Sequence, residues 1–198
     1  MIRYILVGGY PWKAADGGKA FVEACMEQAP DPVNILVCLF ARDESEWEQA
    51  FKDDIARFQA HLGSRRANFI LATKDSFASQ VADADVIYLR GGFTDQLINT
   101  LQTDTSWLQH LDGKTLVGTS AGADAIAAYH YNLDNPRFGR GLGLLPVKVL
   151  VHYGSDYGDG SIDWQQVYKA LDAYGAPLKM VPLREGQFVV RQSPKPTH

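Results

Sequence analysis

The sequence predicts an α/β protein: a single, mostly parallel sheet with helices on both faces, a three-layer sandwich. Three observations carry this. Short β-rich runs alternate along the chain with helical patterns. Several of those runs are nearly continuous in apolar residues, as strands covered on both faces of a parallel sheet are. The β-α-β-α order suits one open sheet with right-handed crossovers.

Taken in order, the chain opens directly on a strand, Ile2–Val7, and then a helix pattern, Gly18–Ala29. A second strand, Val33–Phe40, precedes a long helix, Glu44–Leu62, in which Trp47, Phe51, Ile55, Phe58 and Leu62 recur at steps of three and four. Such a stripe faces a core. Ala67–Ala72 and Val86–Arg90 are the next strands, the latter running into Gly91-Gly92 and a helix at Asp95–Thr103. Thr115–Gly118 leads through a sharp turn into an alanine-rich helix, Ala121–Tyr131. Val147–Val151 ends just before His152, and a last helix is expected at Ile162–Tyr174. Asp156, Asp159 and Asp163 ahead of it suit helix capping or a substrate loop. Strands at Leu178–Leu183 and Phe188–Arg191 close the fold. No linker, repeat or composition shift divides the chain, so residues 1–191 are expected as one domain. A frayed tail is expected over 192–198, which carries two prolines.

At 198 residues with 46% hydrophobic and 21% charged content, the chain has the composition of a soluble globular protein. A net charge of −4 and scattered Lys and Arg exclude a dedicated nucleic-acid binder. No run approaches the roughly 20 apolar residues of a membrane span, and no secretory leader pattern precedes Ile2. Cys25 and Cys38 lie in apolar contexts and read as two buried free thiols of a cytoplasmic protein. No Cys/His spacing suggests zinc.

In open α/β sheets ligands gather beyond the carboxyl ends of the strands. Catalytic candidates should therefore sit just after strands. Gly118-Thr119-Ser120-Ala121-Gly122 does so. In a Gly-x-Ser-x-Gly turn the serine takes a strained backbone that lifts its hydroxyl above the sheet edge, and the glycines remove side chains that would collide. The amide of Ala121 opens the next helix and is free to donate to an oxyanion. The plainer alternative is a serine N-cap. Gly91-Gly92 exposes further amides after another strand, one of which could be a second donor; alone it would read as a tight turn. Gly8-Gly9 and Gly17-Gly18-Lys19 match no phosphate-binding pattern, and both read as turns, with Gly8-Gly9 able to line a cleft.

Of the five histidines, only His152 follows a strand. His61 and His110 sit near helix ends, His198 is terminal, and ten helical residues would put His130 roughly 15 Å from Ser120. His152 is thus the candidate base. For the acid that orients it, Glu185, just after Leu178–Leu183, is favoured by position. Asp134, beyond the alanine-rich helix, is the alternative.

The pieces Gly91-Gly92-Phe93-Thr94-Asp95-Gln96-Leu97, the Ser120 turn, Gly141-Leu142-Gly143-Leu144-Leu145-Pro146 leading to His152, and Leu183-Arg184-Glu185-Gly186 together resemble peptidase family S51. That family includes aspartyl dipeptidase (peptidase E) and cyanophycinase. The resemblance implies a class I glutamine amidotransferase-like, flavodoxin-like fold with serine in place of the cysteine nucleophile. It implies Ser120 as nucleophile, His152 as base, Glu185 or Asp134 as acid, and the amides of Gly92 and Ala121 as oxyanion donors. Gly91, Phe93 and Thr94 would then line the substrate. The expected activity is small-peptide hydrolysis through an acyl-enzyme, with no metal or organic cofactor, no nucleic-acid or membrane partner, and a monomer or homodimer. An esterase or amidase, or a binding protein without turnover, would use the same pocket. Two departures stand out. Phe93 replaces a polar residue of the family turn, and the segment from His152 to Gly175 offers no Arg and only Lys169 as a cation for an N-terminal Asp.

Overall fold

A computed structural model describes residues 1–157 and 160–194. Its first strand, β1 (Ile2–Val7), is buried along its whole length, so its residues are apolar on both sides. Arg3 is its one charge, and its guanidinium reaches Glu27 and the Ala24 carbonyl. The chain continues through α1 (Lys19–Met26), β2 (Val33–Cys38), α2 (Trp47–Gln59) and β3 (Ala67–Leu71). It then forms α3 (Phe77–Asp83), β4 (Val86–Leu89), α4 (Thr94–Thr103), β5 (Thr115–Thr119) and α5 (Ala121–Ile126). The last third holds β6 (Ala127–Asn132), β7 (Arg137–Arg140), β8 (Leu145–Leu150), α6 (Trp164–Ala173), β9 (Lys179–Pro182) and β10 (Phe188–Ser193).

Six strands form one sheet in the order β10-β1-β5-β4-β2-β3, parallel except for β10 at its edge. Alternate residues of each central strand enter opposite cores. Tyr4, Leu6, Leu36 and Cys38 pack with α3, α4 and α5, whereas Ile5, Val7, Ile35 and Val37 pack with α1 and α2. That two-sided cover is the expected α/β, mostly parallel arrangement. Each fully buried Ile, Leu, Val or Phe here contributes roughly 1.5–3 kcal/mol of transfer free energy. Both cysteines are buried and free.

The remaining strands make a second sheet, β7-β6-β8-β9, so the strands fall in two sheets where the sequence suggested one. The cause lies in the segment Ala121–Tyr131, expected as a single helix. α5 stops at Ile126 because the stretch around Gly141 crosses its end: Leu142 N donates to Ala125 O and Gly143 N to Ala127 O, at 2.8 and 3.1 Å. A methyl at Gly141 would sit 2.2 Å from the Asp124 and Ala127 carbonyl oxygens. Beyond that point His130 and Asn132 are buried while Tyr129 and Tyr131 are half-exposed, a strand alternation within a run that alanines made look helical. β6 then recruits β8 and, through it, β9.

Smaller differences follow the usual uncertainty of element ends. α3, seven residues long, is too short to show a helical period in sequence. Gln192 and Ser193, expected in the frayed tail, are paired with Arg3 and Ile2 as the end of β10. Residues 195–198 of that tail, and Asp159, lie outside the described residues. Asp163 caps α6, accepting from Gln166 N at 3.0 Å. Among the described residues no helix is long and apolar enough to cross a membrane.

Candidate active site

The carboxyl ends of β1, β4, β5, β8 and β9 bring Gly8-Gly9, Gly91-Gly92, Ser120, His152 and Glu185 to one place. Ser120 follows β5 with φ +50° and ψ −116°, a conformation that costs energy for a residue with a side chain. It is held there from both sides. Its amide donates to Val7 O at 3.0 Å, and its carbonyl accepts from the amides of Ala123 and Asp124 at 2.8 and 3.1 Å. The flanking glycines are required by contact: a methyl at Gly118 would lie 2.4 Å from the Gly122 carbonyl, and one at Gly122 would lie 2.1 Å from Leu89 O. α5 therefore packs directly on the strands, with the Ala121 amide at its start.

His152 is the other described non-glycine residue with positive φ, at +54°. Its amide donates to Gly8 O at 2.6 Å, which fixes the end of β8 against the end of β1. The ring Nε2 lies 2.8 Å from Ser120 Oγ, and Nδ1 lies 2.5 Å from Glu185 Oε1. The second carboxylate oxygen of Glu185 accepts from the Tyr10 amide at 3.0 Å, and Lys13 Nζ stands 3.6 Å from Oε1. The Tyr157 ring covers the imidazole, with centroids 4.5 Å apart. Burial pushes the His152 pKa below its ordinary value, while the hydrogen bond and charge of Glu185 pull the other way. For Glu185 burial acts upward, but His152, the Tyr10 amide and Lys13 together hold its carboxyl below the ordinary range. At neutral pH the pair is thus a neutral imidazole beside a carboxylate.

Asp134, the alternative acid, does not touch the imidazole. It accepts from Thr94 N at 3.2 Å and from Tyr157 OH at 3.4 Å, and so caps the start of α4. Gly91 and Gly92 line the cavity beside Ser120, and a methyl at Gly91 would lie 2.9 Å from Ser120 Cβ. Phe93 and Thr94 take different environments. Phe93 projects to solvent, 57% exposed, and Thr94 is buried with its hydroxyl donating to Asp124 at 3.2 Å. The turn is held by Phe93 N donating to Ala41 O at 2.8 Å.

The cavity over Ser120 holds about 120 Å³. Its wall includes two cations that the sequence reading did not single out, Arg42 and Arg90. Both follow strands, β2 and β4, the same placement that marks Ser120, His152 and Glu185. Arg90 is buried and pairs at 3.2 Å with the fully buried Asp54. Burial raises the Asp54 pKa to about 6, against the pull of Arg90, Arg57 and Arg42. Arg42 pairs with Glu46 at 3.4 Å. Each cation thus has its own counter-charge.

The signature of Peptidase family S51 matches residues 44–196, more than half of the chain. The chain belongs to peptidase family S51. This S51 peptidase also resembles solved structures over nearly its whole length. A peptidase from an acI-B1 Actinobacterium is 23% identical with a TM-score of 0.66, over 97% of this chain and 84% of that one. A putative peptidase E protein from Listeria monocytogenes EGD-e is 15% identical with a TM-score of 0.61, over 98% of this chain and 100% of that one. At these identities the likeness speaks for the fold, and it is the same α/β fold. No curated protein matches this S51 peptidase in sequence.

Proposed function

We propose that this S51 peptidase is of the serine type and hydrolyses short peptides through an acyl-enzyme. The observation that carries the reading is the continuous hydrogen-bonded chain from Ser120 Oγ through His152 to Glu185, at 2.8 and 2.5 Å. In this reading His152 Nε2 takes the Ser120 proton as Oγ attacks the scissile carbonyl. Glu185 holds the imidazole in the tautomer that presents Nε2 and offsets the charge it gains. The amides of Gly92 and Ala121 donate to the oxyanion. His152 then protonates the leaving amine, and water, activated by the same imidazole, releases the acyl group.

The cavity of about 120 Å³ beside Ser120 offers room for part of a short peptide. The two buried free thiols suit a reducing, cytoplasmic setting. Ser120→Ala is the test. Peptide hydrolysis and labelling by a serine-directed fluorophosphonate should both disappear, and a variant that still cleaved a dipeptide library at the wild-type rate would exclude the proposal. Parallel assays on small esters separate a peptidase from an esterase working with the same three residues.

A further inference from the structure

The geometry points to Arg42 as a positioning residue for the Gly91-Gly92 turn: its guanidinium fixes which way that peptide unit faces. The inference rests on the serine mechanism proposed above and adds a residue to it. The Gly91 carbonyl and the Gly92 amide belong to one planar trans peptide, so they point in opposite directions. Whatever holds the carbonyl therefore aims the N–H.

Arg42 Nε donates to Gly91 O at 3.1 Å. Formed by two glycines, this peptide carries no side chain of its own to resist rotation. Rotated, it would present a carbonyl oxygen beside Ser120 where a donor is needed. Negative charge developing on the substrate would then meet a negative dipole. The turn is otherwise tethered at its flanks, by Gly91 N to Thr119 Oγ1 at 3.0 Å and Phe93 N to Ala41 O at 2.8 Å. The contact to Gly91 O acts on the Gly91–Gly92 peptide itself.

Arg42 is itself placed firmly. Its carbonyl accepts from Trp47 Nε1 at 3.1 Å and Gln96 Nε2 at 3.0 Å, and its amide donates to Leu39 O at 2.9 Å. Nη1 is engaged by Glu46 at 3.4 Å. The planar guanidinium can serve Gly91 with Nε while Nη1 engages Glu46, a fixed fork that a lysine ammonium cannot reproduce. A simpler role for a cavity-lining arginine is direct contact with a substrate carboxylate, and the two roles leave different kinetic marks.

The test compares wild type with Arg42→Met, Arg42→Lys and Arg42→Ala on a short peptide and with a fluorophosphonate, whose phosphoryl oxygen occupies the oxyanion position. Positioning predicts that kcat and the labelling rate fall together by about 10- to 100-fold, with KM within about threefold of wild type. Added ethylguanidinium should restore part of the labelling of Arg42→Ala. A raised KM with unchanged kcat and labelling would overturn the inference in favour of substrate contact. Loss of activity in Arg42→Ala with no rescue, alongside an unchanged labelling rate in Arg42→Met or Arg42→Lys, would overturn it too. Failure of the wild-type protein itself to label would refute the serine mechanism rather than the role of Arg42.

Discussion

Gly9 lies flat against Glu185: a methyl group on its Cα would sit 2.4 Å from Glu185 Oε2 and 2.8 Å from His152 Cε1. The pair shows how the end of β1, which supplies no reacting group, shapes the site. The carboxylate is seated between the Tyr10 amide and the imidazole only because residue 9 has no side chain.

Gly9→Ala should therefore displace Glu185 or the imidazole and lower kcat/KM by about 100-fold, since small displacements of catalytic groups cost that much. The fold should survive, because the clash is with movable side chains at the cavity rim. Kinetics alongside a thermal melt checks both parts; wild-type kcat/KM in a folded Gly9→Ala protein would contradict it.

Glu185 and Asp134 separate by substitution. Glu185→Gln keeps the shape but removes the charge that stabilises the imidazolium, and kcat should drop about 10³–10⁴-fold. Asp134→Asn retains an acceptor for the Thr94 amide, and kcat should stay within about tenfold of wild type. The reverse ranking, measured under saturating peptide, would move the acid to Asp134.

Activity should persist on the acid side of an ordinary histidine titration. Burial holds the His152 pKa below 6.5, so the base stays neutral as pH falls past that value, and the acid limb of kcat/KM lies lower still. Glu185 opposes burial. In Glu185→Gln the limb should move further toward acid while its height collapses. A pH–rate profile of both proteins reads limb and height separately.

Stability carries a different histidine signature. His130 is 2% exposed, and burial lowers its pKa from 6.5 to about 4. The folded state keeps it neutral while the unfolded chain protonates it. Its contribution is complete above pH 6.5 and is lost as pH falls toward 4, a swing of ~3 kcal/mol at most. Denaturant melts from pH 7 to pH 4 should be visibly flatter for His130→Leu than for wild type.

What the sequence disclosed and what it concealed divide along physical lines. β1, β2, β4 and β5 were legible because burial on both faces demands continuous apolar runs. Ser120 and His152 were legible because ends of parallel strands collect functional groups, and Glu185 by the same rule. β6 was not, since a run of alanines favours helix locally and only the crossing of Gly141 ends α5 there. The division into two sheets depends on that same long-range contact. Thr94 and Phe93 sit at the right place in the chain, but their side-chain directions are set by Ala41 and Asp124, which no local pattern encodes. Arg42 follows a strand, but its contact with a backbone carbonyl 49 positions away is encoded by no local pattern.

Ser120 is carried by the six-stranded sheet, whereas His152 and Glu185 follow strands of the four-stranded one, and β10 then returns the chain to the first. Either sheet alone would hold the Ser120 hydroxyl without the His152 imidazole or the imidazole without the hydroxyl. On the proposed mechanism, hydrolytic power would be withheld until the strands that carry His152 and Glu185 have docked beside Ser120. A nascent or partly unfolded molecule would then be inert toward the peptides around it, and competence to cleave would double as a certificate that folding is complete.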